Sequence, residues 1–290
     1  SRLKIEELNI TNIEIHSYHS FIMKYYNLPF SNSLIKQVLK KDLHHSPCID
    51  LLILDEIQDM TPDIYNLIKK FIIDYNQIQD VPFQILILGD NDQAIYDFTG
   101  ADTRFLTLAD KIFDGYFIKS YLTQSYRLTD PISKFVNQNL LGFNKIKTNK
   151  PGKKVKYIIA NPYFESIKKY IYKFIKKKIC EGYSYEDFFI LSSSVKGDSS
   201  PIKVMNKYLS QKSINGSYIP IYINTSDEES LTEKNLQNKI VMTTYHQSKG
   251  RERKIVILIG YDEGYYKFTS AKYNEDEPFC PPPLYVAPTR

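Results

Sequence analysis

The run Leu51-Leu52-Ile53-Leu54-Asp55-Glu56-Ile57-Gln58-Asp59 decides how this chain is read. Four apolar residues lead straight into two acids. A short apolar run bounded by polar turn residues fits a strand buried in a parallel sheet. Such a strand delivers the residues after it to the C-terminal edge of the sheet, where open α/β sheets bind ligands. Adjacent carboxylates at that edge suit a hard cation and its water. One holds Mg²⁺, and the other can take a proton from an attacking water. Taken alone, the pair reads more simply as a solvated acidic turn, because short motifs recur by chance. The rest of the chain reverses that preference.

Working outward, the pattern alternates. Residues 1–8 carry apolar positions spaced like the tail of an amphipathic helix, and 12–16 alternate like a strand. Helices are expected at 18–26 and 34–43. After the acid-tipped strand, Thr61-Pro62 opens a helix with a cap residue and a proline at its first position. Its Ile64, Leu67, Ile68, Phe71 and Ile72 recur at helical spacing. A second buried strand at 83–88 ends in Gly89-Asp90-Asn91-Asp92-Gln93, and a third is expected at 116–118. Thr129-Asp130-Pro131 starts a helix running to about residue 140. Beyond the basic connector Lys150-Pro151-Gly152-Lys153-Lys154 the alternation resumes. Strands are expected at 155–159, 188–191, 218–223, 240–243 and 254–259, helices at 164–180 and 202–209, and a polar loop at 227–237. Strands alternating with helices imply parallel sheets. The reading is two α/β halves, residues 1–122 and 123–290. Lys168, Lys169, Lys173, Lys176 and Lys177 of the helix at 164–180 read as its solvated face.

Composition bounds the partners. The chain has 290 residues, 42% of them hydrophobic, enough for real cores, and a formal charge of +5. That charge permits a polyanionic partner without requiring one. Cys48, Cys180 and Cys280 are too scattered for a zinc site or a disulfide framework, so an intracellular, reducing compartment (cytoplasm or nucleus) is expected. No apolar run reaches membrane-spanning length and no signal peptide is read, so no membrane association is expected.

Five segments stand out in order. They are Asp55-Glu56-Ile57-Gln58-Asp59, Gly89-Asp90-Asn91-Asp92-Gln93-Ala94-Ile95-Tyr96, Gln124-Ser125-Tyr126-Arg127, Thr244-Tyr245-His246-Gln247-Ser248-Lys249-Gly250-Arg251-Glu252 and Tyr285-Val286-Ala287-Pro288-Thr289-Arg290. Together they resemble the UvrD/Rep/PcrA-like branch of superfamily 1 helicases. The resemblance implies two RecA-like parallel-sheet domains of the P-loop NTPase type, with ATP and Mg²⁺ in the cleft between them and movement along single-stranded DNA.

The resemblance also assigns roles. Asp55 and Glu56 would hold Mg²⁺ and polarise the hydrolytic water. Gln93 would touch that water and the γ-phosphate. Arg127 and Arg290 would clamp the γ-phosphate, where a guanidinium fork suits charge spread over equatorial oxygens. Tyr126 would stack on adenine, and Gly250 and Glu252 would serve the nucleotide, the glutamate at the ribose. Tyr96 and Phe98 would stack on bases of the single strand, a contact that works on any base. Ser17, His19, His246 and Lys249 would contact the strand itself. RNA is an alternative polymer, and protein partners are not indicated.

The resemblance has gaps. No Gly-x-x-x-x-Gly-Lys-Ser/Thr occurs in these residues. That loop would supply the amides and lysine that cradle phosphates. The first domain is therefore expected to be incomplete at its N-terminus, and the chain to be a fragment that hydrolyses ATP little or not at all. A catalytically inactive module that binds single-stranded nucleic acid or a protein is the rival reading. Neither half has room for a large inserted domain, and Thr99 and Pro288 depart from the common pattern.

Overall fold

A computed structural model describes residues 10–28, 34–45, 47–226, 231, 236–265 and 280–290. The helix expected at 1–8 and most of the loop expected at 227–237 lie outside them. The chain divides into two compact units, Ser1–Ile118 and Lys119–Arg290.

The first unit contains helix α1 (Tyr18–Tyr26), helix α2 (Leu34–Val38), strand β1 (Leu51–Leu54), helix α3 (Pro62–Ile78), strand β2 (Gln84–Ile87) and two short helices, α4 (Arg104–Thr107) and α5 (Ala109–Ile112). Local chemistry sets the boundaries. Ser17 caps α1, its Oγ accepting the Ser20 N–H at 3.2 Å, and Asn27 ends the helix in the left-handed region at φ 50°. Thr61 caps α3 and Pro62 occupies the first turn, where a missing N–H costs nothing. The apolar face of α3 buries Leu67, Ile68, Phe71 and Tyr75. Strands β1 and β2 pair in parallel, Leu51 opposite Gln84 through Leu54 opposite Ile87. The ladder continues past both strands, with Leu88 N–H donating to the Leu54 carbonyl at 2.8 Å and Ile57 N–H to the Leu88 carbonyl at 3.0 Å. One core packs Leu54, Ile57 and Met60 against Ile68, Phe105 and Phe113.

Three expectations in this unit need correction. Residues 12–16 are irregular, not a strand. Among the described residues no strand runs beside them, and Glu14 instead accepts hydrogen bonds from Lys24 Nζ at 2.6 Å and Tyr25 Oη at 2.7 Å on α1. Residues 116–118 are also irregular: Tyr116 is 92% and Ile118 82% exposed, Phe117 between them packs against the first unit's core, and no strand among the described residues pairs with the segment. The helix expected to reach residue 43 ends at Val38.

The second unit is built on a four-stranded sheet. Helix α6 (Asp130–Phe135) continues as a π-helical stretch, Val136–Leu141. Then come α7 (Glu165–Cys180), β3 (Phe188–Ser192), α8 (Pro201–Ser210), the hairpin β4 (Ser213–Ile214) and β5 (Ser217–Tyr218), β6 (Ile221–Ile223), β7 (Ile240–Thr244), β8 (Ile255–Leu258) and α9 (Pro282–Val286). The sheet order is β6-β7-β3-β8 and every pairing is parallel. Helices pack on its faces, so β3 and β7 are buried along their whole length. Ile171 and Ile175 of α7 and Ile202, Met205 and Leu209 of α8 close one side. Lys169, Lys173, Lys176 and Lys177 are exposed, as expected, whereas Lys168, expected with them, is half-buried with its Nζ over the Tyr208 ring at 5.6 Å.

The strand expected at 155–159 is irregular, and Ile159 is 92% exposed. The strand expected at 218–223 is two elements. Tyr218 belongs to the hairpin, whose Asn215 and Gly216 both have positive φ, the requirement of a tight two-residue loop. Pro220 then separates the hairpin from Ile221–Ile223, which join the main sheet. Among the described residues no helix is long and apolar enough to cross a membrane.

Candidate functional site

In the first unit the parallel register brings the ends of β1 and β2 side by side. Asp55 and Glu56 come directly after β1 and are both exposed. Glu56 sits in the left-handed region at φ 56° and ψ 39°, uncommon for a residue with a side chain. There its N–H donates to Asp55 Oδ1 at 3.0 Å. The chain then tightens into a 3₁₀ turn, Ile57–Asp59. Gln58 on that turn is fully buried. Its Nε2 donates to Glu56 Oε2, and its Oε1 accepts the Asp90 N–H at 3.0 Å.

Asp90 lies just past β2 and organises the second tip. Its Oδ1 accepts the Asp92 N–H at 3.2 Å and its Oδ2 accepts Gln93 Nε2 at 2.9 Å. Asp55, Glu56 and Gln93 are thus gathered at one sheet edge. Tyr18 joins them. Burial and then the charges of Asp55 and Asp59 push its phenol above the ordinary range. Sequence reasoning passed over Tyr18, although it lies between Ser17 and His19. Those two are exposed at the start of α1. Tyr96 and Phe98 come after the second tip, their ring centroids 6.1 Å apart and tilted by 51°. Phe98 is 72% exposed and Tyr96 half-buried. The Thr99 hydroxyl donates to the Tyr96 carbonyl at 2.7 Å and fixes this turn.

Among the described residues no group of three or more His, Cys, Asp or Glu side chains is arranged to hold a metal ion. Asp55 and Glu56 are two adjacent exposed carboxylates. Mg²⁺ commonly binds through one or two carboxylates plus phosphates and waters, and the donor set fits that chemistry.

In the second unit the segment after β7 crosses the sheet edge. Tyr245 is fully buried, its N–H donating to the Ser192 carbonyl at 3.0 Å and its hydroxyl to the Ile259 carbonyl at 3.0 Å. It pins the loop across the ends of β3 and β8, and burial raises its phenol strongly. The amide of Gln247 accepts from Thr243 Oγ1 at 2.7 Å and donates to the Ser226 carbonyl at 3.3 Å. His246 and Lys249 are half-buried, and Gly250 turns the chain at φ 76°. Glu252 is exposed and its Oε2 lies 3.8 Å from Arg127 Nε. The neighbouring Tyr126 is 86% exposed. Arg290 is 7% exposed, its Nε donating to the Val286 carbonyl at 3.0 Å and its Nη2 to Thr289 Oγ1 at 3.3 Å. Its guanidinium is folded back onto its own helical segment.

The geometry can be set beside known proteins. Residues 6–114 match the family described as UvrD/REP helicase N-terminal domain. A probable DNA helicase II homolog of Mycoplasma capricolum is 32% identical over 148 residues, 49% of this chain and 19% of that protein. The ATP-dependent DNA helicase Rep of Buchnera aphidicola is 30% identical over 149 residues, 49% of this chain and 21% of that protein. The chain thus spans about a fifth of the length of these relatives.

Proposed function

We propose, starting from a chain that resembles UvrD/Rep-like helicases and carries their N-terminal-domain pattern at residues 6–114, that it is part of an ATP-dependent DNA translocase. In this reading both units are RecA-like. The observation that carries it is the shared edge of β1 and β2, with Asp55 and Glu56 on one tip and Gln93 on the other.

Asp55 and Glu56 would hold Mg²⁺, which neutralises phosphate charge when bound with ATP. Glu56 would accept a proton from the attacking water, and Gln93 would orient that water. In the second unit Arg127 and Arg290 would bind phosphate oxygens. Arg290 would first have to leave its bonds to Val286 and Thr289. Tyr126 offers an exposed ring for the base, and Gly250 and Glu252 would flank the ribose. Tyr96 and Phe98 would stack on bases of single-stranded DNA, with Ser17, His19, His246 and Lys249 holding the strand.

The sequence favours one further reading for these 290 residues by themselves. They contain no Gly-x-x-x-x-Gly-Lys-Ser/Thr, so binding without appreciable turnover is expected of them. The test is a titration of MgATP and of a single-stranded oligonucleotide, followed by an ATPase assay. Binding of both ligands with little hydrolysis fits the proposal. A robust DNA-stimulated rate refutes the inactive reading, and failure to bind either ligand refutes the proposal as a whole.

A further inference from the structure

None of the motif-derived roles falls on Gln58, yet its amide occupies the centre of the first unit's strand-tip cluster. One end of the amide is bonded to Glu56 Oε2 and the other to the backbone N–H of Asp90. The side chain between them is fully buried. Gly89 makes the approach possible. A Cβ at that position would stand 2.6 Å from Gln58 Oε1, closer than real contacts allow. Gly89 is not in the positive-φ region, so space and not backbone conformation calls for glycine here.

Glu56 is exposed and has rotamer freedom of its own. A donor on an enclosed side chain removes much of that freedom. Holding Oε2 narrows the ways the carboxylate can turn and so the directions open to Oε1. The same amide ties Glu56 to the β2 tip, where Asp90 Oδ2 in turn holds Gln93. We infer that Gln58 is a positioning residue that locks Glu56 to the Asp90–Gln93 tip, so that the two groups facing a bound nucleotide move as one. The inference rests on the proposed role of Asp55 and Glu56 at a metal-bound nucleotide.

The test uses the full chain with ¹⁵N label and Mn²⁺, in the presence of ATP, as the metal probe. The Gln58 side-chain amide protons are expected to resist exchange with water and to shift on Glu56→Gln. The Asp90 N–H is expected to shift strongly on Gln58→Leu. That same variant is expected to weaken Mn²⁺ binding about tenfold, as loss of an outer-shell partner does. It should have no further effect once Glu56 is Gln. Gly89→Ala keeps Gln58 but takes its space, and should reproduce the loss. Equal losses in both Glu56 backgrounds would mean Gln58 is merely structural and would overturn the inference. Amide protons exchanging like those of a surface glutamine would overturn it too. If the unaltered chain takes up no Mn²⁺, the metal reading of Asp55 and Glu56 fails. The Gln58 tie is then decided by its amide exchange and shifts.

Discussion

Arg127 Nε stands 3.8 Å from Glu252 Oε2, which joins two motif residues of the second unit that lie far apart in sequence. Both side chains are more than one-third exposed. An exposed pair of this kind contributes only ~0–1 kcal/mol to stability. Glu252→Gln is therefore expected to leave the thermal midpoint nearly unchanged. If Glu252 serves the ribose, Glu252→Ala should weaken ATP binding by about 1 kcal/mol, the net worth of a lost hydrogen bond. Calorimetric titration beside a melting curve checks both. A large drop in the midpoint with unaltered ATP affinity would make the residue structural.

The exposed ring of Phe98 and the half-buried ring of Tyr96 predict separable effects on strand binding. Each substitution to alanine should cost single-strand affinity about 1–3 kcal/mol if a base stacks on that ring. Phe98→Ala should do so without lowering the melting midpoint, because most of its surface already faces water. Fluorescence anisotropy with a short oligonucleotide reads the change. Unchanged affinity in both variants would remove this turn from the nucleic-acid surface.

A buried tie holds α1 to α3. Tyr26 Oη donates to Asp74 Oδ2 at 3.1 Å, and Lys70 Nζ lies 2.6 Å from Asp74 Oδ1. Asp74 is nearly inaccessible to water. Tyr26→Phe should destabilise the first unit by about 1 kcal/mol. Lys70→Met should cost more, on the order of 3–5 kcal/mol, because it strands a buried carboxylate. Denaturant unfolding checks the ranking. A greater loss from Tyr26→Phe than from Lys70→Met would contradict it.

Glu14 gives the segment before Ser17 a pH dependence. Hydrogen bonds from Lys24, then His16, then Tyr25 lower its carboxyl from 4.5 to about 2. Those partners favour the ionised form in the folded chain. Its contribution to stability is therefore fully present above the ordinary carboxylate pKa of 4.5 and is lost as pH falls toward 2. Glu14 is well exposed, so the effect is small. A carboxyl ¹³C titration of Glu14 should show the low midpoint, and Glu14→Gln should flatten the acid limb of stability. A midpoint at the ordinary value would show that the cluster does not hold this segment.

Periodicity read the packed elements of the fold well. The apolar runs of β1, β2, β3, β7 and β8 and the helical faces of α3, α7 and α8 lie close to where their spacing puts them. It failed at 12–16, 116–118 and 155–159, where alternating or apolar residues meet no strand partner among the described residues. A strand is defined by its neighbour as much as by its own residues, and local pattern carries no information about that neighbour. Pro220 was a visible warning that 218–223 would divide. The site was legible to the extent that its residues sit just past strands, as Asp55, Glu56 and Gln93 do. Gln58 was not, because its bond to Asp90 crosses 32 positions and depends on the room Gly89 leaves. The burial of Arg290 was equally invisible: its bonds to Val286 and Thr289 stay within its own motif, but residue order does not say which way the side chain folds.

The most direct test of the account is ATP affinity measured with and without Mg²⁺, in the unaltered chain and in Asp55→Ala. The account predicts that Mg²⁺ tightens ATP binding to the unaltered chain and that the tightening disappears in the variant. ATP affinity indifferent to Mg²⁺ in the unaltered chain, or a Mg²⁺ effect that survives Asp55→Ala, would contradict it.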